Sequence, residues 1–177
     1  MKLQLEKKAW WEYLEHDLQE LLQQSLLLSE IAKKWGRDPS AHSTSSGQEF
    51  HDYAFVVFPA AKAYEGFLKK LFLDLGFITE NDYYGKRFRV GKALNPSLPS
   101  RLRKREGVYD KLVDFCGNEN LADKLWHTWK KGRNLVFHWF PNEKNAVDMN
   151  EAVDRLNMIV DAMDSAFKEC KMDKDAS

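Results

Sequence analysis

Residues 49–76 read EFHDYAFVVFPAAKAYEGFLKKLFLDLG, and whether they form a helix or a strand decides the fold class. The first half, Phe50 to Phe58, is a short apolar run that by itself fits a buried strand as well as a helix. Beyond it, Tyr64, Phe67, Leu68, Leu71, Phe72 and Leu75 continue at helical spacing. The spacing therefore predicts one long helix from about Glu49 to Leu75. Pro59 should kink it or mark its start, because proline lacks the amide that an inner turn needs. Gly76 is a natural stop.

The same period recurs on both sides. Leu3, Trp10, Leu14, Leu18, Leu21, Leu22, Leu26 and Ile31 predict a long amphipathic helix over residues 3–35, ended by Gly36. Residues 37–48, RDPSAHSTSSGQ, have no apolar period and read as a loop or linker. Residues 79–106, punctuated by Gly85, Gly91, Pro96 and Pro99, read as an irregular connection. Val108 to Phe115 predicts a short helix stopped by Gly117. Asn118 or Asn120 caps a fourth helix from Leu121 to about Phe140, ended by Pro141. Residues 146–171 carry Val147, Ala152, Val153, Leu156, Ile159, Val160, Met163 and Phe167 on one face of a last helix. About five helices, two of them long, and no convincing strand predict an all-α bundle. The expected organisation is an N-terminal helix (1–36), a linker (37–48) and a helical domain (49–177).

The 177 residues include 27 Lys+Arg and 27 Asp+Glu, for zero net charge, and 44% are hydrophobic. That is enough apolar material for a core without disulfides or a structural metal. Cys116 and Cys170 lack the spacing of a zinc site and read as reduced thiols. Met1 to Trp11 has charges at Lys2, Glu6, Lys7 and Lys8 and no secretion-type apolar core. The most apolar stretch, Tyr53 to Ala61, is too short to span a bilayer. A soluble cytoplasmic protein is expected. No phosphate-binding glycine loop is present, and Ser43, Ser45 and Ser46 sit in the linker, a poor place for a nucleophile. His127 and His138 lie three helical turns apart without further ligands in register, so neither a metal nor a cofactor is expected.

Zero net charge argues at first against a nucleic-acid partner, but the charge is not evenly spread. From Tyr83 to Arg105 no acidic residue occurs. The stretch carries Lys86, Arg87, Arg89, Lys92, Arg101, Arg103, Lys104 and Arg105, with Tyr83, Tyr84 and Phe88 among the first of them. Cations that meet phosphates beside rings that stack on bases suit RNA. The competing reading is a solvated basic loop whose charges pair with acidic helix faces.

In Gly132-Arg-Asn-Leu-Val-Phe-His-Trp-Phe-Pro141, Arg133, Asn134 and His138 interrupt an otherwise apolar and aromatic segment. A buried Arg needs a partner, and His titrates where proton transfer is useful. Five residues of α-helix turn through about 140°, so Arg133 and His138 converge only if the helix bends near Gly132, the Arg side chain wraps round, or two subunits each supply a pair. Otherwise they are a packing His and a surface Arg.

Arg133-Asn134-x-x-x-His138 resembles the motif of the HEPN superfamily of helical ribonucleases, an Arg usually followed by a polar residue and then a His four to six residues after the Arg. Many toxin members continue with His-x-Tyr, where this chain has Phe140. The stretch from Lys62 to Gly76 is similar to the helix that precedes the motif in RNase LS-type toxins, with Lys62 and Glu65 at the positions of a basic residue and a Glu near the Arg/His pair. The resemblance covers roughly residues 50–165 and implies a standalone HEPN domain.

What the resemblance implies is metal-independent cleavage of RNA by a toxin or antiphage effector. The 2'-OH attacks the adjacent phosphate, leaving a 2',3'-cyclic phosphate and a 5'-OH. His138 moves the proton, Arg133 stabilises the charged phosphorane, Asn134 binds phosphate or orients His138, Glu65 positions Arg133 or His138, and Lys62 adds positive potential. It also implies a homodimer with the site at its interface and leaves room for a cognate antitoxin. The alternative is a catalytically inactive HEPN-type module that binds RNA or protein. A third reading is an unrelated helical interaction protein. Zero net charge then argues only against RNA binding over the whole surface.

Overall fold

The computed structural model describes residues 4–35, 50–117, 119–139, 141 and 145–170. Among these the chain is all-helical, with eight α-helices. They are α1 (His16–Trp35), α2 (Ala54–Asp74), α3 (Glu80–Tyr84), α4 (Val90–Ala93), α5 (Ser100–Glu106), α6 (Tyr109–Cys116), α7 (Glu119–Trp129) and α8 (Met149–Glu169).

Helix α2 is the centre of the molecule. Val56, Val57, Ala63, Tyr64, Phe67, Leu68, Leu71 and Phe72 are all fully buried. A helix that is apolar on most sides belongs inside, and α1 and α8 pack against it. It runs through Pro59 rather than starting there. The next amide, Ala60 N–H, donates to the buried Ser25 hydroxyl of α1 at 2.8 Å. Leu18 of α1 fits against Gly66, where a methyl group would come within 2.5 Å of its side chain. The Tyr64 hydroxyl donates to the Leu125 carbonyl of α7 at 3.1 Å. Gly76, at φ +69°, ends α2 as the sequence predicts: Phe77 N–H bonds to the Phe72 carbonyl and Gly76 N–H to the Leu73 carbonyl.

Several expectations are corrected. The helix predicted over 3–35 begins only at His16. Before it lie a 3₁₀ turn, Leu5–Lys7, and irregular turns. Adjacent helical positions point about 100° apart, yet Trp10 and Trp11 are both buried. Breaking the helix lets both rings enter the core. Asp164 of α8 anchors the segment by accepting from Trp10 Nε1 and Lys8 Nζ, each at 2.5 Å. With α1 shortened, α1, α2 and α8 are of similar length, at 20 or 21 residues.

The connection over 79–106 is not irregular but holds α3, α4 and α5. Helix α3 is set by a capping box between Thr79 and Asp82. The last helix begins at Met149 rather than 146, where Asp148 and Glu151 form a second capping box. Asn120 lies inside α7 and so is not its cap, while Asn118 lies outside the described residues. Gly36, the 37–48 linker and Phe140 are also outside them.

Cys116 and Cys170 are not free thiols. They form a disulfide that joins the end of α6 to the end of α8, with Cα atoms 5.0 Å apart. Cross-linking residues 54 apart restricts the unfolded chain and adds about 4 kcal/mol of stability in the chain-entropy model. Thermal unfolding with and without dithiothreitol checks this: reduction should lower Tm, and Cys116→Ser should show the lowered Tm without reductant.

Candidate active site

The segment bearing Arg133 and His138 is not the straight α-helix expected to Phe140. Helix α7 stops at Trp129, a π turn covers Lys130–Asn134, and a 3₁₀ turn covers Leu135–Phe137. The π turn closes through Leu135 N–H to the Lys130 carbonyl, and such widened turns are rare and frequent at functional sites. His138 has extended backbone beyond the last turn, and the Asn145 side-chain amide donates to its carbonyl.

Helix α8 holds the widened turn. Gly132 is buried, and a Cβ there would lie 3.3 Å from Ile159 Cγ1. One helical turn before Ile159, the Arg155 guanidinium donates to the Lys131 carbonyl. Arg155 and Ile159 thus form one face of α8 that seats the turn. Nothing in the sequence reading singled out Arg155, since a lone Arg on a helix carries no local signal.

The turn presents Arg133 to α2. Arg133 Nη2 lies 3.2 Å from Glu65 Oε2, and its guanidinium carbon sits 5.0 Å over the Trp129 ring. Glu65 therefore engages Arg133. Both side chains keep about a third of their surface exposed, so the pair contributes no more than about 1 kcal/mol to stability. Its consequence is orientation: a guanidinium anchored on one edge can present other N–H groups to an anion.

One turn before Glu65 on α2, exposed Lys62 lies 5.9 Å from the Phe58 ring. Phe58 in turn meets Phe137 edge-on at 5.2 Å. So Lys62, Glu65, Arg133 and Phe137 form one continuous surface between α2 and the π and 3₁₀ turns. His138, next to Phe137, is exposed. Asn134, next to Arg133, is half-buried. Trp129 and Phe58 also belong to this surface, and as aromatic residues in apolar stretches they carry no sequence signal beyond packing.

The basic residues of 86–105 divide into several roles. Arg103 donates to the Pro96 carbonyl at 2.5 Å and the Leu98 carbonyl at 3.3 Å, and lies 3.6 Å from Asp110. It holds its own loop together. Lys92 and Arg105 both pair with Glu106, whose carboxyl their hydrogen bonds hold below its usual range. Arg89 donates to the Lys86 and Phe88 carbonyls. Lys86, Arg87, Arg101 and Lys104 are exposed. Part of the charge is thus paired within the segment and part faces solvent.

Trp129 connects the two regions. Gly91 of α4 lies against it, and a methyl group on Gly91 would come within 2.3 Å of the indole nitrogen. The ring that carries Arg133 on one contact therefore carries the basic segment on another.

Among the described residues, no group of three or more His, Cys, Asp or Glu side chains is placed to hold a metal ion. Also among them, no helix is long and apolar enough to cross a membrane. Compared with known proteins, the chain matches no family model, no curated protein and no solved structure.

Replacing Gly91 tests the role of the Trp129 contact. Gly91→Ala forces a methyl group into a buried ring, and overpacking of this kind costs about 1–3 kcal/mol. Urea denaturation should show that loss, and tryptophan fluorescence should report a displaced indole.

Proposed function

We propose that the protein is a metal-independent endoribonuclease of the HEPN type, acting as a toxin or antiphage effector. The observation that carries this reading is the Glu65–Arg133 pair at 3.2 Å, formed between two distant stretches of sequence that each resemble the family. Arg133 is the electrostatic element. Its partly exposed guanidinium meets the scissile phosphate and stabilises the charge that develops in the phosphorane. Glu65 positions it.

His138 is the proton-transfer group. The 2'-oxygen forms a bond to phosphorus as its proton is removed. The bond from phosphorus to the 5'-oxygen breaks, and the leaving oxygen takes up a proton. The products are a 2',3'-cyclic phosphate and a 5'-OH. Asn134 contacts phosphate or orients His138, and Lys62 adds positive potential. Lys86, Arg87, Arg89, Lys92, Arg101, Arg103, Lys104 and Arg105 form the basic segment along which RNA approaches. Within it Arg103 and Lys92 act mainly by shaping the segment through their pairings.

The active form is a homodimer. Trp139 is 80% exposed and Phe58 50% exposed, both beside the site. Large apolar side chains clustered on a surface mark an interaction face, and a second copy covers them here. Such a face also gives a cognate antitoxin a place to dock.

Single-stranded RNA incubated in excess EDTA should be cut to 2',3'-cyclic phosphate ends, and DNA of the same sequence should survive. His138→Ala and Arg133→Ala should each lower the rate at least 100-fold with unchanged circular dichroism. RNA bound but uncut by all three proteins would instead mark an inactive binding module. For the dimer, light scattering should give twice the monomer mass, and Trp139→Asp should shift it to monomer.

A further inference from the structure

The chain just after α2 and the short helices α3, α4 and α5 border a partly open cavity of about 340 Å³, within the size range of small-ligand sites. One wall is apolar and aromatic. Phe77, Ile78 and Phe88 form it, and all three belong to the core or pack against it. Phe77 is fixed further: its ring meets Phe115 edge-on at 5.7 Å, and its carbonyl accepts from Lys111 Nζ at 2.8 Å. This wall is a firm surface for a flat ring.

The charged part of the lining is mostly cationic, with Arg87, Arg89, Lys92 and Arg105 beside two carboxylates, Asp82 and Glu106. Asp82 is committed to the α3 cap, accepting from the Thr79 hydroxyl at 2.8 Å and the Thr79 amide at 3.1 Å. Glu106 accepts from both Lys92 and Arg105 and so fixes two of the cations at the cavity. Arg89 is fixed by backbone carbonyls. The lining keeps a positive surplus, and Arg89, Lys92 and Arg105 are already held in place, which lowers the ordering cost of binding.

A cavity of this size lined by both aromatic rings and guanidinium groups fits a ligand that is planar at one end and anionic at the other. We propose that it binds a nucleotide, with the base against Phe77 and Phe88 and the phosphate on Arg87 and Arg105. This site is separate from the Arg133 surface. Lys92 and Ala93 line the cavity, while Gly91 of the same turn rests on Trp129 and Trp129 carries Arg133. The nucleotide is either free or one residue of an RNA strand. The proposal concerns binding alone and does not depend on cleavage.

Isothermal titration calorimetry of the full chain with AMP, GMP, CMP and UMP tests it, with inorganic phosphate and adenosine as controls. At least one mononucleotide should bind saturably and at least tenfold more tightly than either control. Arg87→Ala, at an exposed position, should weaken that binding at least tenfold with unchanged circular dichroism, and Arg133→Ala should leave it unchanged. Competition by a short single-stranded RNA identifies a strand nucleotide, and its failure to compete identifies a free one. The proposal falls if no mononucleotide binds saturably, if inorganic phosphate binds as tightly as the nucleotides, or if Arg87→Ala has no effect.

Discussion

The burial of α2 is the constraint on which the rest of this molecule depends. Eight of its side chains are fully buried, and each fully buried Leu or Phe contributes about 1.5–3 kcal/mol. No surface ion pair approaches that sum. Every other long element is therefore placed by how it covers α2. Polar side chains on α2 must emerge where that cover is incomplete. Glu65 emerges against the turn after α7, and Lys62 beside Phe58 at the rim of the same gap.

What meets Glu65 there depends on a departure from regular helix. An α-helix continued to Phe140 would carry Arg133 and His138 round different faces. The π turn at Lys130–Asn134 interrupts it, and α8 supports the interruption through Ile159 against Gly132 and Arg155 on the Lys131 carbonyl. The Arg133–Glu65 pair is weak as a stabiliser because both groups remain partly hydrated. Packing sets the geometry and the ion pair aims the guanidinium. Trp129 then ties this arrangement to the basic segment, since it touches both Arg133 and α4.

Much of the fold was legible locally. The period of 49–76 predicts α2 well, and Gly76 and Gly117 stop their helices at positive φ, as glycine can at little cost. Two helix starts also carry a local signal: Thr79-Glu-Asn-Asp82 and Asp148-Met-Asn-Glu151 are capping-box patterns that set α3 and α8. The paired Trp10 and Trp11 also warned against a helix through residue 10, because one helix face cannot bury two successive rings. At the candidate site, the resemblance singles out Arg133, His138, Glu65 and Lys62, and the structure brings Glu65 to Arg133. Arg155 and the π turn were not legible, because both arise from contacts between elements far apart in sequence.

The sequence by itself determined an all-helical chain built round one apolar helix, and it showed an acid-free basic segment beneath a neutral total. Those properties depend on side-chain period and composition, which are local. Only the tertiary structure decided that Cys116 meets Cys170, that Glu65 meets Arg133, and that half of the basic segment is spent on its own carbonyls and carboxylates. Each of these joins groups on separate elements, and their meeting depends on how whole helices pack, which no short window of sequence encodes.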